Sequence, residues 1–316
     1  MTKIVHVAVG VILDKDGNIL IAKRPEQTHQ GGLWEFPGGK VEQGETLFAA
    51  LRRELLEELA INISATEPLI KIRHDYGDKV VLLDVHKVIE FYGEPQSNEG
   101  QPILWVSPKD LFQYKFPAAN RPIITAIHLP QRLLITGNAN SIDEYSFCTE
   151  RALIAGIRCV QLRVQNSTTS DFFTLAEKLS QLCNNYSAKL ILNTSTKIFL
   201  NINTSLPHLG LHLNSQELMR CENRPVAQSI LLGASCHNTE EIAQAEKVGV
   251  DYICLSPVAA TESHPNAAVL GWENFSRLIE SVAAPVFALG GMGEKDLPQA
   301  IAAGAQGIAG IGAWWD

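Results

Sequence analysis

The chain has 316 residues, 46% of them hydrophobic and 19% charged, which supports packed cores and excludes both a single small module and a disordered chain. Acidic residues outnumber basic ones, 34 to 26, and the net charge of −8 excludes the broad basic surface that captures duplex nucleic acid. No apolar run reaches the roughly 18 residues of a membrane-spanning helix, and the start has no cleavable-leader layout before Asp14, so no membrane partner is expected and the expected compartment is the cytoplasm.

Apolar residues run from Lys3 to Leu13, Asp16-Gly17-Asn18 supplies turn chemistry, and the run resumes from Ile19 to Ala22, which predicts a β-hairpin. Gln27 to Gly39 holds four glycines and a proline and reads as a loop. Apolar residues at 47, 48, 51, 55, 56 and 59 predict a helix from Leu47 to Leu59 with a charged opposite face. Strand-like runs at Pro68 to Ile72, Val80 to Ile89 and Ile103 to Val106, with helical patterns near Lys109 and over Arg121 to His128, complete a mixed α+β unit. The texture changes near Leu129-Pro130, which divides the chain into domains 1–130 and 131–316. In the second, short apolar strands centred on Leu134, Val160, Ile191, Leu211, Leu232, Ile253, Phe287 and Ile308 alternate with amphipathic helices. Eight such units predict a compact (β/α)₈ barrel, with a doubly wound sheet as the alternative. The six cysteines all lie in this half without C-x-x-C spacing and read as reduced thiols, not as a metal site.

The chemistry of the first half concentrates in Gly38-Gly39-Lys40-Val41-Glu42-Gln43-Gly44-Glu45 and Arg53-Glu54-Leu55-Leu56-Glu57-Glu58. On a helix Glu54, Glu57 and Glu58 fall at i, i+3 and i+4, so three carboxylates share a face and repel one another. A hard divalent cation, Mg²⁺ or Mn²⁺, relieves that repulsion while bound to a diphosphate substrate; a solvated acidic face is the other reading of the same charges. The spacing Gly39, Glu45, Arg53-Glu54-Leu55, Glu57-Glu58 resembles the box of the Nudix hydrolases, with one departure: Ala60-Ile61 stands where the box ends on glycine and an aliphatic residue. The resemblance implies an α/β/α sandwich fold and Mg²⁺-dependent hydrolysis of a diphosphate linkage. It also implies metal ligation by Glu54, Glu57 and Glu58 with the Gly38 carbonyl, and an Arg53 that positions a carboxylate. Such cations neutralise phosphate oxygens and lower the pKa of a water whose proton a free carboxylate accepts, a role the sequence does not assign among Glu45, Glu54 and Glu99.

Outside the box, Lys23-Arg24, Trp34-Glu35-Phe36-Pro37-Gly38-Gly39, Tyr92-Gly93-Glu94-Pro95, Glu99-Gly100-Gln101-Pro102 and Phe116-Pro117-Ala118-Ala119-Asn120 resemble the MutT-type 8-oxo-dGTP diphosphatases. That resemblance implies conversion of 8-oxo-dGTP to 8-oxo-dGMP and pyrophosphate, which keeps oxidised guanine out of DNA without contact to nucleic acid. It adds Glu99 to the metal set, makes the Asn120 amide the reader of the purine, and lines the nucleotide site with Arg24 and His29; Phe36 and Tyr76 supply apolar walls. Each has a plainer reading: Asn120 as a helix N-cap, Arg24 as a surface charge, His29 as a loop residue, Phe36 as core. Lys79 stands where the family has an arginine and lacks its planar fork, which bears on base discrimination.

The second half resembles thiamine-phosphate synthase and the related thiazole tautomerase through Val160-Gln161-Leu162-Arg163, Leu192-Asn193, Gly210-Leu211-His212-Leu213, Gly233-Ala234-Ser235-Cys236-His237, Asp251-Tyr252 and Ala288-Leu289-Gly290-Gly291-Met292. The resemblance implies a thiamine-related phosphate held at Arg163, Asn193, His212, Ser235, Gly290, Gly291 and Gly312. Tight turns without a ligand are the alternative for the glycines, and ordinary strand ends for His212 and His237. Several positions depart from the family: Gln165 replaces a lysine, Thr194 a metal-binding aspartate, Ser256 a glycine and His264 another lysine. These losses weaken diphosphate chemistry and point to a degenerate, binding or regulatory module. The competing reading for the whole chain is a Nudix hydrolase acting on a thiamine-pathway diphosphate beside a thiamine-related enzyme or ligand sensor.

Overall fold

The computed structural model describes residues 4–164, 168–206, 208–261 and 268–315. The chain divides into two compact units, Met1–His128 and Leu129–Asp316.

In the first unit, β1 (Ile4–Ile12) is the centre of a mixed sheet ordered β4-β1-β6-β5, with β4 (Gly38–Lys40), β5 (Asn62–Asp75) and β6 (Val80–Tyr92). β1 runs parallel to β6 and antiparallel to β4. A second sheet, β3-β2-β7, joins β2 (Ile19–Lys23), β3 (Trp34–Glu35) and β7 (Ile103–Val106). The expected opening hairpin is therefore corrected. Asp14 organises the turn by accepting from the Asp16 and Asn18 amides, both at 2.8 Å. The strands on either side then part into different sheets and share the single bridge Leu13–Ile19. The stretch expected as a loop from Gln27 to Gly39 likewise contains β3 and most of β4.

Helix α1 (Leu47–Leu59) starts on Thr46, whose hydroxyl accepts from the Ala49 amide at 3.2 Å. Its apolar face, Leu51, Leu55 and Leu59, buries against Ala8, Ile12 and Val88 of β1 and β6, leaving the glutamates on the rim. Short 3₁₀ turns at Pro108–Gln113 and Ala118–Asn120 lead into α2 (Arg121–His128).

The second unit closes eight parallel strands into a barrel, in the order β10-β11-β12-β13-β14-β15-β8-β9. The strands are β8 (Arg132–Ile135), β9 (Cys159–Leu162), β10 (Lys189–Asn193), β11 (Gly210–Leu213), β12 (Leu232–Cys236), β13 (Tyr252–Leu255), β14 (Val286–Leu289) and β15 (Gly307–Gly310). Each contains the residue on which a strand was expected, and helices α3 (Ile142–Ile154) to α9 (Leu297–Ala302) lie between them. Leu133, Ile135, Cys159, Ile191, Cys254, Phe287 and Ala309 fill the interior, so the barrel is a packed core. The six cysteines are free thiols. Among the described residues, no helix is long and apolar enough to cross a membrane.

Candidate active site

The box glutamates stand where β4 meets α1. Gly38 has φ +144°, and a Cβ there would run into the backbone oxygen of Ala8, so only glycine fits. A Cβ on Gly39 would displace the Glu54 carboxylate. Arg53 organises the outer side. Its Nε and Nη2 each donate to a Glu45 oxygen at 2.9 Å, its Nη1 donates to Glu54 Oε1 at 2.7 Å, and its Nη2 also reaches the Lys40 carbonyl at 3.0 Å. This fork holds the Glu45 carboxyl down at about 2. Glu45 is thus held as a charged partner of Arg53.

Glu58 faces inward and accepts from the Gly38 amide at 3.2 Å. Burial, reinforced by the charges of Glu35, Glu54 and Glu99, pushes its carboxyl up to about 8. Glu99 comes into this field because its loop docks on the C-terminal carbonyls of α1. Asn98 Nδ2 donates to Glu57 O at 3.1 Å, Gln101 Nε2 to Glu58 O at 3.2 Å, and the Gln96 amide to Leu59 O at 2.9 Å. The donor chemistry, crowded carboxylates that resist joint ionisation, fits a hard divalent cation. Among the described residues, no three carboxylate, histidine or cysteine side chains already converge on one point. Arg53 engages Glu54 and lies 3.6 Å from Glu57, while Glu58 turns to Gly38, so the set shares a helix face without sharing a focus.

Ala60, where the box has glycine, caps α1 in the left-handed conformation, φ 58° and ψ 23°, with its amide reaching the Leu55 and Leu56 carbonyls. An L-residue is strained there by about 1–2 kcal/mol, partly offset by the entropy glycine loses on folding. Ala60→Gly is expected to stabilise the first unit by roughly 1 kcal/mol, checked by urea unfolding at unchanged m-value.

The nucleotide-side residues lie along a second wall. Arg24 Nε and Nη2 both donate to the His29 carbonyl, at 3.0 and 2.9 Å, and its Nη1 pairs with Glu35. His29 packs edge-on to Tyr76, ring centroids 4.9 Å apart, and its Nε2 lies 3.8 Å from the Asp78 carboxylate. The Tyr76 hydroxyl lies against the backbone of Ala119, next to Asn120. Asn120, 9% exposed, closes a 3₁₀ turn that runs straight into α2 and so does not occupy an extended N-cap position. Phe36 is 3% exposed and stacked on Phe116 at 5.4 Å, which makes it core behind the wall. Lys79 closes the β5–β6 turn through its carbonyl, which accepts from the Tyr76 amide at 2.9 Å. The sequence alone does not single out Glu35, which the fold pairs with Arg24. No sequence signal marks that pairing, which arises because β3 lies beside the end of β2.

In the barrel a polar floor lies among the apolar residues. His212, 1% exposed, bonds Tyr252 Oη through Nδ1 at 3.0 Å and Ser235 Oγ through Nε2 at 2.8 Å. Burial pushes its imidazole down to about 3, so it stays neutral. Asn193 Nδ2 donates to Gln161 Oε1 at 3.2 Å, and Gln161, 1% exposed, also lies against the Tyr252 hydroxyl. Gly233 permits the arrangement, since a Cβ there would enter the Tyr252 ring. The backbone of Arg163 is pinned to Thr136, amide to Oγ1 at 2.9 Å. Gly290 and Gly291, at φ +98° and +68°, pass against Pro257 and Ala260, so close packing already requires these turns. Gly312 follows β15. His237, at the end of β12, is held through Nδ1 by Glu241 at 2.8 Å. Thr194 puts a hydroxyl where the family places a carboxylate. Gln165 and His264 lie outside the described residues.

A NUDIX domain model matches residues 8–126, and a thiamine monophosphate synthase model matches residues 133–314. The chain belongs to both families. Its NUDIX part is 40% identical over 118 residues to the CTP pyrophosphohydrolase of Escherichia coli K12, covering 37% of this chain and 87% of that protein. It is 37% identical over 125 residues to the 8-oxo-dGTP diphosphatase of the same organism, covering 40% and 97%. The synthase part is 32% identical over 185 residues to the putative thiamine-phosphate synthase 2 of Aquifex aeolicus, covering 58% and 97%. The chain is therefore a NUDIX domain fused to a thiamine-phosphate synthase-like barrel. The NUDIX relatives are pyrophosphohydrolases of two different nucleotides, and hydrolases of this family generally use divalent cations such as Mg²⁺.

Proposed function

We propose that the NUDIX domain hydrolyses 8-oxo-dGTP to 8-oxo-dGMP and pyrophosphate with Mg²⁺, Mn²⁺ serving in its place, and so removes a mutagenic nucleotide before DNA replication. The observation that carries this reading is the buried Asn120 carboxamide, set beside Tyr76 on the wall that Arg24 and His29 extend. A carboxamide offers a donor and an acceptor together and suits an oxidised purine edge. Glu54, Glu57 and Glu58, with the Gly38 carbonyl and Glu99, would hold the cation, which supplies charge neutralisation on the phosphates and a lowered water pKa. Arg53 orients Glu54 against the Glu45 anchor, and a carboxylate of this set accepts the proton of the attacking water.

The 40% identity to a CTP pyrophosphohydrolase favours cytidine triphosphate as the second reading. Mg²⁺-dependent pyrophosphate release from equal low concentrations of 8-oxo-dGTP, dGTP, CTP and thiamine diphosphate separates the readings. The highest kcat/KM is expected for 8-oxo-dGTP, and a preference for CTP or thiamine diphosphate overturns that assignment.

For the barrel, we infer a small-phosphate-binding module that no longer performs synthase chemistry. Thr194 offers no carboxylate for a metal, while the neutral polar floor of Gln161, Asn193, His212 and Tyr252 is suited to an uncharged polar ring. Thiamine phosphate is expected to raise the melting temperature of the full chain without being consumed. No shift at millimolar ligand, or its turnover, refutes this.

A further inference from the structure

Loop 25–33 is fastened at its base by the backbone of Arg24. The Arg24 amide donates to Leu33 O at 2.9 Å, and the Gly32 amide donates to Arg24 O at 3.1 Å. Within the loop Gln30 adopts a left-handed φ of 63°, a conformation that strains a non-glycine residue and that something must hold. The Arg24 side chain supplies that hold. Two of its N–H groups converge on the His29 carbonyl, and a third goes to Glu35. Both partners of the ion pair are about three-quarters buried, with side chains 26% and 27% exposed, where a charged pair is screened little. Glu35 in turn stands in the field of Glu58. Midway along the loop the His29 ring packs on Tyr76, whose hydroxyl lies against the Ala119 backbone next to Asn120.

We propose that the Arg24–Glu35 pair is a positioning element for base selection, fixing loop 25–33 through the His29 carbonyl so that His29, Tyr76 and Asn120 keep one shape. This rests on the hydrolase reading above and assigns Glu35 a task outside the metal set. Three of the five Arg24 N–H groups are committed to the protein, which makes the residue a strut within the chain. Lysine keeps the charge but cannot reach Glu35 and the His29 carbonyl together. Glutamine at position 35 keeps an acceptor and removes the charge that aims the guanidinium.

The test is a double-mutant cycle in the full chain with Arg24→Lys, Glu35→Gln and both, read in two ways. In steady-state kinetics each single change is expected to raise KM for the preferred nucleotide by about tenfold, to lower its preference over the other nucleoside triphosphates by a similar factor, and to change kcat by less than about threefold. The double variant should be no worse than the poorer single one, because the two residues act as a unit. In amide hydrogen exchange, residues 27–33 should lose protection in every variant while the α1 amides keep theirs. Unchanged exchange in the loop overturns the proposal. So does a loss confined to kcat, which would place Glu35 among the reacting groups, and so do additive effects. The exchange result needs no turnover, so a wild-type chain that hydrolyses none of the nucleotides defeats the hydrolase reading while exchange still decides whether the pair holds the loop.

Discussion

Glu54→Gln is expected to reduce kcat/KM for nucleotide hydrolysis by about 10³-fold or more while the protein remains folded. The substitution is isosteric, so the cradle over Gly39 stays filled, but a neutral amide is a far weaker ligand for a hard cation than a carboxylate. The fold should tolerate the change because Arg53 keeps its two bonds to Glu45 and its bond to the Lys40 carbonyl. Removing the Glu54 charge, one of the three that add to burial in raising the Glu58 carboxyl, also relieves repulsion, so the melting temperature should stay the same or rise. Mg²⁺ titration of the variant, followed by pyrophosphate release and thermal melting, checks both halves. Activity within tenfold of wild type at saturating Mg²⁺ would remove Glu54 from the machinery.

What the sequence revealed, and what it hid, follows from the range of the interactions. Helix α1 is legible because a 3.6-residue period and a fixed set of glutamates both lie within a single segment. The eight barrel strands are legible because each is a short apolar run buried on both faces and set off by amphipathic helices. β3 and β4, two and three residues long in a glycine-rich stretch, contain too few positions to show alternation. The hairpin reading of the first two strands failed because a well-formed Asp14 turn says nothing about lateral partners. Those are chosen by β4 and β6 for one strand and by β3 and β7 for the other. The barrel floor was hidden for the same reason: His212 and Tyr252 meet across 40 residues, through a glycine whose reason appears only when the ring is seen against it. The rotamers of the box glutamates were beyond the sequence too, since a shared helix face fixes where carboxylates start and Arg53 decides where they point.

Asn120→Ala is the change expected to act most strongly on selectivity. Losing one or two hydrogen bonds from a buried amide to a base edge costs about 1.5–3 kcal/mol, so kcat/KM for 8-oxo-dGTP should fall roughly 10–100-fold. The loss should fall mainly on KM, since the contact is made equally in the ground and transition states and lies apart from the carboxylates. A nucleotide that does not use the amide should lose little, and the preference among bases should collapse by nearly the same factor. Local structure should survive, because the 3₁₀ turn is closed by the Asn120 backbone amide, which donates to Pro117 O at 2.9 Å and is retained in alanine. Asn120→Asp sharpens the experiment. It replaces a donor–acceptor pair with two acceptors in a largely buried position, so it should reject a purine that presents its own acceptor more strongly than alanine does. If both variants leave the ranking of 8-oxo-dGTP, dGTP and CTP unchanged, base selection lies elsewhere on the wall, and the reading of this domain as an oxidised-purine hydrolase falls with it.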